Sequence, residues 1–334
     1  MSVERAVDYI LRCTGLVPDD TVVIVADQSV IRAMSMLETK AREQASSVVL
    51  FDLDAMGERP LPSVPEAVRE ALDRCSVCYV AVRSVATGER NELATVRRPI
   101  ALHSERIKHI NMPGLTYEVL ESAFQEDPEP IWALSARVHD AVSRAQEITV
   151  RGDNGTDATF RFSPDLTWIN LDGDFRERFV PRGSNNLPGA EVYTCPESGD
   201  GVYVVDGVLG DHFSAKYGLI AERPVTLRLE AGRVVAVDCP DEELAAAVRV
   251  YLETDENSNR IGEFALGTNV TLQRLLGNML HDEKFPSIHI AAGSPYPHVT
   301  GAKWDSAGHM DAITLGPTVV ADGATVMEGG RYVI

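Results

Sequence analysis

The chain has 334 residues, with 50 Asp and Glu against 31 Lys and Arg and a formal net charge of −19 at pH 7. So acidic a surface repels phosphate backbones and anionic lipid, which argues against nucleic acid and membranes as partners. Apolar residues make up 44% and charged residues 24%, an ordinary globular composition, and the length makes two domains the expectation. No apolar run approaches the ~20 residues that span a bilayer. The N-terminus, MSVERAVDYILRC, carries Glu4, Arg5 and Asp8 early with no signal-type apolar region behind them. A cytoplasmic location is therefore expected. The five cysteines are scattered and odd in number, which does not suggest a disulfide framework. Cys75 and Cys78 form a single CxxC that runs into a strand-like segment, so they read as small residues on a strand.

In chain order, residues 2–16 have helical apolar spacing at Val3, Ala6, Val7, Ile10 and Leu11. TVVIVAD (21–27) reads as a buried strand, and 30–46 as a helix. SVVLFDL (47–53) is a second strand, 65–73 a helix, and SVCYVAV (76–82) a third strand. A helical stretch near 89–101 precedes RIKHINM (106–112). Short apolar strands alternating with helices predict an α/β domain with a parallel, doubly wound sheet over 1–125. It has no GxGxxG after its first strand and the chain has no GxxxxGK[ST], so no nucleotide site is expected.

After EDPEP a helix is expected over 128–146. From 147 the texture changes. EITVRGDNGTDATFRFS reads as strand, Asn-Gly turn, strand. GVYVVDGVLG and PVTLRLEAGRVVAVD continue in short strands, 241–252 and 270–281 look helical, and TVVADGATVMEGGRYV reads as a closing hairpin. The second domain, 126–334, is expected to be α+β, mixed and mostly antiparallel.

The chemistry concentrates near the end, in SIHIAAGSPYPHVTGAKWDSAGHMDAITLG (287–316), which holds three of the eight histidines. A metal site needs several ligands converging from different elements, and imidazole with carboxylate suits Zn, Mn, Co or Fe(II). His309 and Asp311 stand at i, i+2, which puts both on one face of a strand. His289 sits in SIHIAAG, a strand running into a turn. Glu191 in NNLPGAEVYTCP and Glu263 in RIGEFALGTN lie in apolar or glycine-rich company. A buried carboxylate there needs a partner, either a metal or an arginine. His281 and His298 read as surface histidines, and HDEK (281–284) as the polar end of a helix. Glycines and prolines around Tyr296 suggest a loop, and with His298, Lys303 and Trp304 that loop could line a substrate pocket.

Taken in order, Glu191, Gly262-Glu263, His289 to Tyr296 and His309-Met310-Asp311 resemble the M29 aminopeptidases. HINMPGLTYEVL, GTDATFRF and PGAEVYTCP fit the same resemblance. It implies two divalent metals side by side, Zn, Mn or Co, held by Glu191, Glu263, His289, Tyr296, His309 and Asp311. It implies hydrolysis of an amide or peptide-like bond, with Glu263 moving protons and Tyr296 holding the oxyanion or ligating a metal. A small-molecule or short peptide substrate and a homodimer are implied with it. The chain is shorter than those peptidases in its N-terminal half and between His289 and His309. A second relative of similar length, the 2,5-dihydroxypyridine dioxygenase type, holds one Fe(II) with two His and one Asp and opens a hydroxylated N-heteroaromatic ring. It keeps the closing His-x-Asp, has a His where Glu263 stands, and lacks the partner of His289. His289, His309 and Asp311 could also form such a triad.

Overall fold

The computed structural model describes residues 2–83, 85–87, 90–177 and 185–334. The chain forms two compact units, one of residues 1–128 with 173–189 and one of 129–172 with 190–334. The sequence reading divides the chain once, at 125/126; the return of 173–189 to the first unit has no counterpart in it.

In the first unit, helix α1 (Val3–Thr14) starts where the Ser2 side chain accepts from the Arg5 N–H and ends where Gly15 turns left-handed at φ 59°. Strand β1 (Thr21–Ala26) is followed by α2 (Ile31–Ala41), β2 (Ser47–Asp52), α3 (Glu66–Leu72) and β3 (Val77–Ala81). A two-residue ladder, β4 (Ala86–Thr87) with β5 (Arg90–Asn91), precedes a π-turn at Leu93–Arg97, α4 (Arg98–Ala101) and a 3₁₀ turn at Leu102–Glu105. The expected helical stretch near 89–101 is thus broken, and its residue 89 lies outside the described residues. Strand β6 (Lys108–Asn111) and α5 (Tyr117–Ala123) complete the unit. The sheet order is β2-β1-β3-β6, all parallel, the α/β arrangement that helices between strands require. The returning segment lies beside β6: Asn186 bridges Asn111, and the Leu187 N–H donates to the Asn111 carbonyl at 2.9 Å. Cys78 is buried in β3, and burial pushes the Cys75 thiol up to about 11, which leaves it a poor nucleophile.

Just past the carboxyl end of β1, Arg59 joins two buried carboxylates, Asp27 and Glu92. Its Nη1 lies 3.2 Å from Asp27 Oδ2 and its Nε donates to Glu92 Oε1 at 3.0 Å. Glu92 also accepts from the Leu61 N–H at 2.7 Å, and Asp27 from the Arg83 N–H at 2.7 Å.

The second unit opens with α6 (Pro128–Val142), then β7 (Glu147–Arg151), β8 (Asp157–Arg161) and β9 (Ile169–Leu171). It resumes with β10 (Glu191–Thr194), β11 (Ser198–Val205), α7 (Asp211–Tyr217), β12 (Val225–Glu230), β13 (Arg233–Asp238), α8 (Glu242–Tyr251) and β14 (Ile261–Gly267). Helix α9 (Met279–Asp282), β15 (Ile288–Gly293), α10 (Pro297–Thr300), β16 (His309–Thr314), β17 (Thr318–Ala321), β18 (Ala324–Glu328) and β19 (Arg331–Tyr332) close the chain. Two antiparallel sheets result, an eight-stranded one in the order β13-β12-β11-β8-β7-β17-β18-β19 and a five-stranded one in the order β16-β15-β14-β10-β9. An α/β unit with a parallel sheet followed by a mostly antiparallel α+β unit is the fold class the strand spacing predicts.

The core of this unit lies between its two sheets. Val192, Phe264, Leu266, Ile288, Ile290, Met310 and Ala312 from the five-stranded sheet pack with Phe160, Tyr203, Val205 and Leu227 from the other. The Tyr203 hydroxyl lies 3.0 Å from the carbonyls of both Ile288 and Ala312, so a buried hydrogen bond ties β15 and β16 to the larger sheet. Among the described residues, no helix is long and apolar enough to cross a membrane.

The helix expected at 270–281 is reduced to the single turn of α9. Its periodicity is real, but turn chemistry overrides it. The Asp282 carboxylate accepts from the N–H groups of Leu276, Gly277 and Asn278 at 2.7–3.0 Å, which supplies those donors with partners that a helix would otherwise provide.

Candidate metal centre

Antiparallel pairing sorts side chains by face, because residues directly opposite one another point the same way. Glu263 lies opposite Ala291, and Ala291 opposite Asp311. His289 lies opposite Ala265, Gly293 opposite His309, and Glu191 opposite Gly267. Glu191, Glu263, His289, His309 and Asp311 therefore share the face of the five-stranded sheet that turns away from the core. On at least one side each has an alanine or glycine across the ladder, which leaves space above the strands for polar heads, while Ile313 stands opposite His289 and Leu171 opposite Glu191 on their other sides.

Two groups form there. One oxygen or nitrogen from each of Glu191, Glu263 and His289 lie within 4.8 Å of one another, and so do atoms of Glu263, His309 and Asp311. Glu263 belongs to both. Its Oε1 lies 3.2 Å from His289 Nε2, and its Oε2 lies 3.7 Å from His309 Nε2. Glu191 Oε2 lies 3.7 Å from His289 Nε2, and Asp311 Oδ1 lies 3.1 Å from His309 Nε2. Each carboxylate oxygen of Glu263 thus addresses a different imidazole.

The surroundings fix these side chains. His309 Nδ1 lies 2.9 Å from the Ser294 carbonyl and donates to it, which fixes the ring with Nε2 toward the carboxylates, the nitrogen that would ligate a cation once deprotonated. The Tyr251 hydroxyl donates to the His309 carbonyl at 3.1 Å and accepts from its N–H at 3.0 Å, so the backbone of His309 is clamped from α8. Tyr296 sits just outside α10 with φ 49°, a left-handed conformation that bulky residues seldom adopt. Its ring centroid lies 4.6 Å from that of His309. Burial, with the charges of Glu263 and Asp311, pushes its phenol well above the usual range, so the hydroxyl stays a proton donor.

Burial alone would lower the imidazoles and raise the carboxylates. Against burial, contact with Glu263 and the charges of Glu191 and Asp311 hold His289 at about 8, and Asp311 holds His309 at about 10. Asp311 is pulled down to about 2 despite burial, chiefly by His309. Burial pushes Glu191 up, with Lys284 opposing.

Sequence reasoning missed the rest of the site. HDEK (281–284) is not a solvated helix end: His281, Asp282 and Lys284 are fully buried. Lys284 Nζ lies 2.9 Å from Glu191 Oε1 and 2.7 Å from Glu283 Oε1. Burial pushes the Glu283 carboxyl up to about 8, whereas the two carboxylates outweigh burial and raise Lys284. The available signal was Gly267, directly opposite Glu191. A Cβ there would lie 2.0 Å from the Phe285 carbonyl oxygen and 2.8 Å from that of Glu283. The missing side chain lets residues 283–285 press against β14 and bring Lys284 to Glu191. Gly267→Ala is therefore expected to cost about 3 kcal/mol or more and to weaken metal binding with it. Thermal melting and a metal titration check this, and a variant that melts and titrates like the parent would contradict it. His298 is exposed and Lys303 is exposed, while Trp304 lies under Arg260 with 4.3 Å between guanidinium and ring.

The donor set fits divalent metal. Glu191 Oε2 is buried with no hydrogen-bond partner and lies beside Glu263 and His289. A buried carboxylate oxygen with nothing to satisfy it is costly unless a cation takes the place, and mixed carboxylate and imidazole ligands suit Zn, Mn, Co and Fe(II).

Two solved structures share the fold. Wild-type AmpT from Thermus thermophilus superposes with a TM-score of 0.71 at 20% identity, over 99% of this chain and 99% of that one. The 2,5-dihydroxypyridine dioxygenase from Pseudomonas putida KT2440 superposes with a TM-score of 0.69 at 16% identity, over 99% of this chain and 96% of that one. Identities this low establish a common fold and nothing narrower. No curated protein matches the chain in sequence. The model of the thermophilic metalloproteases (M29) matches residues 128–312, more than half of the chain and the whole of the ligand set. The chain belongs to the M29 metalloprotease family.

Proposed function

We propose that the protein is a two-metal hydrolase that cleaves an amide or peptide-like bond in a small molecule or short peptide. The observation that carries this reading is Glu263, whose two carboxylate oxygens face two different histidines, each with its own further carboxylate. Glu191, Glu263 and His289 would hold one metal, and Glu263, His309 and Asp311 the other. Divalent metals bound there would polarise the scissile carbonyl and make water a nucleophile near neutral pH. Glu263 would move the proton from attacking water toward the leaving nitrogen. Tyr296, kept protonated by its buried acidic surroundings, donates a hydrogen bond to the oxygen that gains charge. A homodimer is part of the same reading, to be checked by light scattering.

A second reading has the same fold behind it and a ligand set of its own. His289, His309 and Asp311 lie on adjacent strands β15 and β16 and offer two imidazoles and one carboxylate, a set that suits Fe(II) and oxygen chemistry on a hydroxylated N-heteroaromatic ring, but His289 falls in one ligand group and His309 with Asp311 in the other.

Elemental analysis of protein purified without chelators or metal-affinity steps separates the two. The hydrolase predicts about two equivalents of Zn, Mn or Co per chain and turnover of amide substrates in anaerobic buffer. About one equivalent of iron, with turnover that requires oxygen, would replace it with the ring-opening dioxygenase.

A further inference from the structure

We propose that Lys284 is a resident counter-ion of the metal centre: it occupies one oxygen of Glu191, leaves the other for metal, and makes the Glu191–His289 position the weaker of the two. The inference rests on the two-metal reading above and concerns how its two positions differ.

The geometry is specific. Lys284 is fully buried, and its ammonium lies between Glu191 Oε1 at 2.9 Å and Glu283 Oε1 at 2.7 Å. Glu191 Oε2 is the oxygen with no hydrogen-bond partner, and it is the one nearer His289. The carboxylate is thus divided, one oxygen to the ammonium and one toward His289 and Glu263. Lys284 is held in place by its own chain: its carbonyl accepts from the Asn269 N–H at 2.9 Å and its N–H donates to the His281 carbonyl at 3.1 Å. Asp282, with its three backbone donors, anchors the turn on the other side. On a fixed turn beside a glycine that admits it, the ammonium cannot swing away.

No second lysine or arginine balances the other position. Asp311 and His309 face each other at 3.1 Å, and among the described residues no lysine or arginine forms an ion pair with either. A fixed positive charge within one carboxylate of the first metal position repels an incoming cation, and in a water-poor site the repulsion is weakly screened. The same charge removes one of the two oxygens with which Glu191 could chelate. Both effects fall chiefly on the Glu191–His289 position: Lys284 is the leading charge acting on Glu191, whereas at Asp311 its pull ranks after those of His309 and His289. The protein should therefore fill the His309–Asp311 position first, and the second metal should be the exchangeable one. Lys284 acts through Glu191 and is a positioning residue.

The test is a calorimetric titration of metal-stripped protein with Mn²⁺ or Zn²⁺, alongside thermal melting of the metal-free forms. Wild type is expected to show two separable steps. Lys284→Met, nearly isosteric and uncharged, is expected to tighten the weaker step by at least about tenfold and leave the tighter step in place. Glu283→Gln, which leaves the ammonium to Glu191 alone, is expected to weaken the weaker step further. Opposite shifts in the two variants support the proposal, and a merely structural lysine would weaken metal binding in both. An unchanged or weakened second step in folded Lys284→Met overturns it. If Lys284→Met does not fold, Glu283→Gln decides: a tighter or unchanged weaker step overturns the proposal. Wild-type protein that binds one metal or none would overturn the two-metal reading and this inference with it.

Discussion

Glu263→Gln is expected to lower kcat/KM on an amide substrate by about 10³-fold or more and to reduce bound metal from two equivalents to one or fewer. The substitution keeps the shape of the side chain and leaves one acceptor oxygen. The other arm becomes an amide nitrogen with no lone pair to offer a cation. Among the described residues Glu263 is the only one common to both ligand groups, so no other single change among them removes a ligand from each. Metal-free protein should melt somewhat lower, because His289 and His309 lose the carboxylate charge that faces them. A variant that retains two metals and normal turnover would show that Glu263 neither bridges nor moves protons.

Arg59→Met is expected to destabilise the protein by about 3–5 kcal/mol at neutral pH, because it leaves Asp27 and Glu92 buried without their cation. The drop in melting temperature should be about 10 °C or more. Burial pushes Asp27 and Glu92 up, but their hydrogen bonds and Arg59 outweigh it and hold both below the ordinary carboxylate range. A group with a depressed folded pKa contributes stability above its unfolded pKa, and that contribution disappears as pH falls through the folded value. Wild type should lose this contribution between about pH 4 and the lower values of the two groups. The variant's carboxylates, without Arg59, should titrate higher and lose less on acidification. The stability gap between the two proteins should close as pH falls from 7 toward 3, as chemical denaturation at several pH values would read. A gap independent of pH would mean that Arg59 acts by packing alone.

Much of this was legible in the sequence. Apolar runs such as TVVIVA and VCYVA announced the inner parallel strands, because buried strands carry apolar residues on both faces, whereas SVVLFD forms the partly exposed edge strand β2. His309 and Asp311 could be placed on one face from their spacing, given a strand. Glu191, Glu263 and His289 stood out because they sit in apolar company with nothing local to satisfy them. What the sequence hid came from contacts between distant segments. HDEK has the composition of a solvated helix end, and only the approach of 283–285 to Gly267 reveals it as buried. The 270–281 segment has helical periodicity, but Asp282 takes its backbone donors. The return of 173–189 to the first unit rests on contacts between distant segments, among them the Asn186–Asn111 bridge, the Phe175 N–H on the Cys13 carbonyl and the Asn185 amide on the His109 carbonyl, and no local pattern encodes it.

The division of the five-stranded sheet into an apolar face and a ligand face has a consequence for assembly of the chain. His289 alternates with Ile288 and Ile290, and Asp311 with Met310 and Ala312. A one-residue slip of β15 or β16 would drive an imidazole or a carboxylate into the hydrocarbon layer and expose isoleucine or methionine in its place. Mispaired chains would therefore be unable to bind metal at all. Metal uptake would then act as a proofreading step on strand pairing: ions would collect on molecules whose register is correct, and by mass action they would draw the folding equilibrium toward those molecules.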